Sequence, residues 1–261
     1  MSKKSKKQNR KLAGLVVVVV ILAIAAVVFG IFALKEARAA AGKPGRETDP
    51  GEGVIQQTEN PAEKETAAAI EDLQDVESQR PEGLQVTKIG SYTGLYVEDG
   101  SDEILSRILM ILVENNSSAT VQYAKIQLTD GTDTAEFSLT TLPPGEKMVV
   151  LEQNRMPYTK GQHLDQITIE NVALFPQEPE LHADKLEIQP LDGFLNVKNI
   201  SGADITEDVV IYYKNASADV LYGGITYRIT LQGGLKADEV AQLAAGHYTV
   251  KGSRVMFITI G

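Results

Sequence analysis

Twenty-three consecutive residues, Leu12 to Leu34, carry no charge: LAGLVVVVVILAIAAVVFGIFAL. At about 1.5 Å per residue a helix of that length reaches roughly 34 Å, enough for a hydrocarbon core of about 30 Å. Val16 to Val20 would favour strand in water. In lipid, however, every backbone N–H and C=O must be paired internally, and an isolated run achieves that only as a helix. Six basic residues and no acidic one precede the run: Lys3, Lys4, Lys6, Lys7, Arg10 and Lys11. A cleavable signal peptide would share that basic start, and Ala37-Arg38-Ala39 resembles a small-x-small cleavage site. Apolar signal cores are about 7–15 residues long, so the length favours an uncleaved anchor. The expectation is a basic cytoplasmic tail over 1–11 and a transmembrane helix over 12–34. By the positive-inside rule, the remainder lies outside the cytoplasm, with Glu36 and an acidic tether diluting Lys35, Arg38, Lys43 and Arg46.

Charge separates the two sides further. The formal net charge is −10, but beyond residue 11 the chain holds 19 basic and 35 acidic side chains. Such a surface repels phosphate backbones, so no nucleic-acid partner is expected. The absence of cysteine excludes disulfides, zinc-thiolate sites, a cysteine nucleophile and lipid attached through cysteine. Three histidines and no tryptophan leave few groups for proton transfer near neutral pH.

From 35 to 85 the composition turns to Ala, Glu, Pro, Gly, Gln and Asp, with 12 acidic and six basic residues and no aromatic. That stretch reads as an acidic linker with too little apolar surface to offset chain entropy. Within it Ala67, Ile70, Leu73 and Val76 recur at helical spacing, and Pro61 stands where helix starts favour it. A short helix over 62–80 is therefore expected.

Beyond Val86, short apolar runs are broken by turn residues every 8–12 positions. Strands are expected at Ile104–Val113, Val121–Leu128, Glu136–Leu139, Met148–Leu151, Ile167–Phe175, Lys185–Ile188, Phe194–Val197, Val209–Tyr213, Ile225–Leu231 and Val255–Ile260. Ile225, Tyr227, Ile229 and Leu231 alternate with Thr226, Arg228 and Thr230, as in a strand with one buried face. Asp130-Gly131 signals a hairpin with a type I′ turn. The fold class is mostly β, with two tandem sandwich modules over 86–178 and 179–261 and a boundary at Pro176-Gln177-Glu178-Pro179.

The two modules share a pattern. Val113-Glu114-Asn115-Asn116-Ser117 precedes one strand and Val197-Lys198-Asn199-Ile200-Ser201 another, 84 residues later. Leu142-Pro143-Pro144-Gly145-Glu146 and Leu235-Lys236-Ala237-Asp238-Glu239 repeat at an offset of 93, which puts nine extra residues in the second copy, around Ala216–Gly224. The second copy, with Val210-Ile211-Tyr212-Tyr213-Lys214-Asn215 as its aromatic strand, resembles the FxLYD-type domains of bacterial and archaeal envelope proteins. The first copy resembles them weakly, keeping Pro144-Gly145-Glu146 without the aromatics. The resemblance implies a small immunoglobulin-like sandwich in an envelope setting and brings no catalytic residues.

No residue pattern names a reaction. His163, two residues before Asp165, lacks a Gly-x-Ser-x-Gly nucleophile elbow, and His182 and His247 stand apart in sequence. Neither Glu98–Glu103 nor the Asp130, Asp133, Glu136 group follows the twelve-residue calcium loop. Gly223-Gly224 and Gly233-Gly234 bracket a strand and serve turns. No cofactor and no metal is expected. Tyr212, Tyr213, Tyr222 and Tyr227 cluster in the second copy and are the candidate interaction surface, although Tyr212 and Tyr213 must point to opposite faces. The expectation is a single-pass extracytoplasmic binding or scaffolding protein. Its partner would be another envelope or membrane protein, or a second copy. A structural spacer and an envelope hydrolase with an unfamiliar site are the alternatives.

Overall fold

The computed structural model describes residues 68–79, 83–101, 103–162, 164 and 166–261. The run Leu12–Leu34, the tether up to residue 67, and His163 and Asp165 lie outside them. Among the described residues no helix is long and apolar enough to cross a membrane. Every regular element described is a strand. In chain order they are β1 (Ala69–Gln79), β2 (Leu84–Leu95), β3 (Ile104–Asn115), β4 (Val121–Thr129), β5 (Thr134–Leu142), β6 (Lys147–Leu151) and β7 (Gln166–Leu174). The second half supplies β8 (Leu186–Leu191), β9 (Phe194–Asn199), β10 (Val209–Ser217), β11 (Val220–Leu231), β12 (Val240–Ala244) and β13 (Ser253–Ile260).

The strands form one seven-stranded sheet, β1-β2-β3-β6-β11-β10-β13, and two three-stranded sheets, β5-β4-β7 and β12-β9-β8. The large sheet therefore runs through both halves. It is joined at a parallel pairing of Val220–Tyr222 with Lys147–Val149. Leu109, Ile111, Val113, Met148 and Val150 of the large sheet meet Ala124, Ile126, Leu128, Phe137 and Leu139 of β4 and β5 in the first core. Val209, Ile211, Tyr213 and Ile258 meet Leu186, Leu195 and Val197 of β8 and β9 in the second. A third cluster, with Tyr92, Tyr96, Met110, Val149 and Leu151, buries the opposite side of β3 and β6. Side chains alternate along a strand, so β3 and β6 are apolar on both faces and read as continuous hydrophobic runs.

The repeat read from the sequence is present atom by atom. Asn115 and Asn199 are both fully buried. Asn115 Nδ2 donates to Ala119 O at 3.0 Å and to Leu142 O at 2.8 Å. Asn199 Nδ2 donates to Ala203 O at 2.7 Å and to Leu235 O at 3.0 Å. Ser117 and Ser201 each donate from backbone N and from Oγ to the Oδ1 of the preceding Asn. The main chains of these asparagines also bond Gly145-Glu146 and Asp238-Glu239, the paired polar turns. Gly145 has φ 73 and Asp238 φ 62, so both turns use the left-handed region. The pairing repeats too: β2-β3-β6 corresponds to β8-β9-β12, and β4-β5 to β10-β11, with Val121↔Leu142 matching Ile205↔Leu235.

Two expectations need correction. Residues 69–79 form strand β1, not part of a helix over 62–80. β1 carries register shifts between Glu71 and Gln74 and between Asp75 and Ser78. Each bulge inserts an extra residue and resets the alternation, so apolar residues recur every three positions and imitate a helical stripe. The acidic stretch 35–85 thus gives two strands to the large sheet, β1 and the start of β2. At Asp130-Gly131 the hairpin is present, but Thr129↔Thr134 closes a four-residue loop rather than a two-residue type I′ turn. Gly131 adopts φ 92, and Asp130 Oδ1 accepts from the N–H groups of Thr132 and Asp133, each at 2.8 Å.

Replacing Asn115 or Asn199 by Ala removes several hydrogen bonds made by a fully buried side chain, those from Nδ2 to main-chain carbonyls and those to Oδ1 from the following serine, and each substitution should cost about 2–4 kcal/mol of unfolding free energy. The neighbouring Asn116, whose side chain bonds Gln85 at the surface, should change stability by less than about 0.5 kcal/mol on the same substitution. Denaturant titration of the three variants checks the contrast.

Candidate functional site

The nine extra residues of the second copy build the joint between the halves. Tyr213↔Tyr227 occupies the place of Thr129↔Thr134, and where the first copy turns through residues 130–133 the second continues through 214–226. That extension of the β10–β11 hairpin reaches β6 and makes the parallel pairing. Leu221 and Ala216 of the extension, with Met256 of β13, enter the first core, whereas Tyr213, Ile211 and Val255 belong to the second.

Inside the extension lies Lys214, with no exposed surface. Its Nζ donates to Gly223 O at 2.9 Å, Gly224 O at 3.2 Å and Ile225 O at 2.5 Å. An ammonium has three N–H donors, so all of them are engaged. Glu98, on the β2–β3 connection, answers from the other half. Its Oε2 accepts from Gly224 N at 2.6 Å and its Oε1 from Leu151 N at 2.8 Å. Burial lowers the Lys214 ammonium from its ordinary value, and the Glu98 carboxylate opposes that shift. Burial raises Glu98, and its backbone donors and Lys214 oppose that.

Glycines make the approach possible. A Cβ on Gly224 would stand 1.8 Å from Ser138 O, and one on Gly223 2.7 Å from the Val97 side chain. Thr140 Oγ1 donates to Gly224 O at 2.7 Å and sits 2.8 Å from Thr226 Oγ1. The arrangement is a clamp: a buried cation and a half-buried carboxylate grip one glycine corner from opposite halves. Chemically it holds main chain in place, because no donor of Lys214 is left for a substrate.

The four tyrosines do not share one surface. Tyr213 is core, stacked 5.3 Å from Tyr227 and edge-on to Tyr248. Tyr212 lies on the opposite face, stacked 4.2 Å from Phe257. Tyr222 packs on the third cluster, and Tyr227 stacks on His247 at 4.9 Å. His182 is half-buried on the β7–β8 connection, 3.9 Å from Glu180. No three of the described His, Asp and Glu side chains come together as a metal site.

The acidic loops are engaged locally. Arg155 bonds Asp99 at 2.8 Å and Glu103 at 2.7 Å and lies over the Tyr96 ring. Hydrogen bonds from Ser101, then Arg155, hold the Asp99 carboxyl below its ordinary range. Glu136 is lowered in the same way by Lys125. Two open clefts flank the β7–β8 connection. One of about 460 Å³ lies among Thr120, Thr141, Glu178, His182 and Met256. The other, about 300 Å³, lies between β8 and β13 beside Leu186, Ile188 and Val255.

The sequence marked where the extension falls but not its purpose. Lys214 has nothing in its neighbourhood to flag a buried cation, and Glu98 reads as one acid in a surface run. Lys214→Met alone would leave Glu98 partly buried without its cation and should cost about 3–5 kcal/mol. The double variant Lys214→Met with Glu98→Gln should recover part of that loss, as a double-mutant cycle by denaturation would show.

No protein-family model, no curated protein and no solved structure matches this chain.

Proposed function

We propose that this chain is a single-pass membrane protein whose two β-sandwich modules, of immunoglobulin-like and FxLYD-like type, bind or scaffold other components outside the cytoplasm. The observation that carries the reading is the pairing of an uncharged 23-residue run behind a basic tail with a β unit clamped across its two halves. A continuous sheet with a buried clamp keeps two modules at fixed geometry, which suits presentation of a surface. Two observations support binding over catalysis: the buried Lys214 is saturated with carbonyls, and Asp99, Glu103 and Asp130 of the acidic loops are held in ion pairs or turns.

Between Leu34 and Ala69 lie 34 residues. Their composition gives an expected root-mean-square span of about 30–35 Å. That reach places the partner near the bilayer, as another membrane protein or a neighbouring copy would be.

Because the chain has no cysteine, topology is open to single-thiol labelling. Ser5→Cys should resist a membrane-impermeant maleimide in intact cells and react only after lysis. Ile104→Cys, on a side chain 55% exposed, should react in intact cells. The reverse pattern would overturn the orientation. Crosslinking of the C-terminally tagged chain in intact cells should then recover a membrane protein that an anchor-only control does not.

A further inference from the structure

β1 has no counterpart in the repeat. The first half places it on the outer edge of β2, whereas the matching strand β8 is the edge of its own sheet. The second half thus shows that the sandwich closes without such a strand. Burial agrees: none of the described β1 side chains is buried, Leu73 is 49% exposed, and only Ile70 and Val76 pack against the cores.

The two edges differ in what protects them. Ile200 N donates to Lys185 O, which turns the main-chain groups of Lys185, Glu187, Gln189 and Leu191 toward β9. Those of Leu186, Ile188 and Pro190 then face the open side. Leu186 N is already bonded to His182 O, and Pro190 has no N–H, so β8 offers a strand only one free donor, at Ile188. The 12 residues of β2 contain no proline. Among the described residues that edge is covered by β1, and without β1 it would be a 12-residue template for pairing, interrupted only by Lys88 and by the register shifts at Val86–Lys88 and Tyr92–Gly94.

What holds β1 is also specific. Arg107 bonds Glu71 at 3.2 Å and Asp72 at 2.8 Å, Lys160 reaches Asp72 at 3.0 Å, and Lys88 reaches Asp75 at 2.5 Å. Gln74 Nε2 donates to Tyr158 Oη at 2.7 Å, and Tyr158 Oη donates to Asp72 O at 3.1 Å. Exposed pairs of this kind contribute little to stability but select a sequence and a register. The occupant they select is β1 itself, and the same strand from another molecule meets the same partners.

We propose that β1 is an exchangeable strand, and that the β2 edge beneath it is an acceptor site for β1 of a second copy of this chain, giving a reciprocal strand-swapped dimer. The β1–β2 pairing and the ion pairs and hydrogen bonds that hold β1 are all available in the dimer. Two identical acceptor edges make the contact isologous and closed rather than filament-forming. Exchange is a property of the β unit and does not depend on the anchor, so its test in detergent solution is separate from the topology reading.

The test uses the full-length chain with one thiol at a time. Asp75 and Lys88 are directly opposed across β1 and β2, a spacing a disulfide spans. Asp75→Cys and Lys88→Cys chains are purified separately, mixed in equal amounts, equilibrated, oxidised and analysed by mass spectrometry. Exchange predicts interchain 75–88 bridges about fivefold or more above the 2:1:1 ratio to 75–75 and 88–88 that random collision gives. A chain carrying both cysteines, oxidised as monomer, should close its own bridge and no longer dimerise. Monomers only, or interchain bridges in the random ratio, with the double variant still closing within one chain, would overturn the proposal. So would a purified chain that stays monomeric and opens this edge only to a strand of another protein.

Discussion

Lys214 is an ammonium with no exposed surface, and the way the two halves meet follows from the need to satisfy it. Three carbonyls at Gly223, Gly224 and Ile225 accept hydrogen bonds from its three N–H donors, so the chain must curl around it at a glycine corner. That corner in turn presents Gly224 N to Glu98 of the other half and brings Ser138 O within a distance no side chain would allow. Breaking the contact between halves would part the ammonium, still bonded to the carbonyls of its own hairpin, from the Glu98 carboxylate, and would strip Glu98 of its donor at Gly224 N. Removing one partner of such a pair is far more disruptive than replacing both, so the clamp fixes geometry more than it adds stability.

From this corner the rest of the architecture can be traced. The hairpin extension that carries Lys214 also carries Val220–Tyr222, whose parallel pairing with β6 turns two sheets into one of seven strands. The extension feeds Leu221 into the first core, while Tyr213, at its base, points into the second. A single strand pair therefore takes part in two cores from its two faces. Parallel pairing between halves also means that β6, an edge in an isolated module, has no free edge here.

Much of this was legible in the residues, and the failures have physical causes. The strands from Ile104 onward follow alternation and turn residues, and the repeat of Asn115-x-Ser117 and Asn199-x-Ser201 proved to be a repeat of buried hydrogen bonds. The nine-residue excess was located because the two flanking motifs fix its ends. β1 escaped because its bulges convert a period of two into a period of three. β2 escaped because Gly90 and Gly94 interrupt its pattern. A Cβ on Gly90 would lie 2.9 Å from Leu73 Cδ2, so the gap in the pattern exists to admit β1. The tyrosine cluster dispersed because adjacency along a strand separates Tyr212 from Tyr213, and the extension carries Tyr222 away from both. Lys214 was invisible for a different reason: its partners are carbonyls, which every residue has.

The proposed role as a membrane-held binding platform depends on the two halves behaving as one body. Differential scanning calorimetry of the full-length chain in detergent tests that most directly. A shared sheet and a buried clamp predict one cooperative transition, with calorimetric and van't Hoff enthalpies equal. Two separable transitions, each with the enthalpy of a single module, would contradict it and return the molecule to two independent beads on a string.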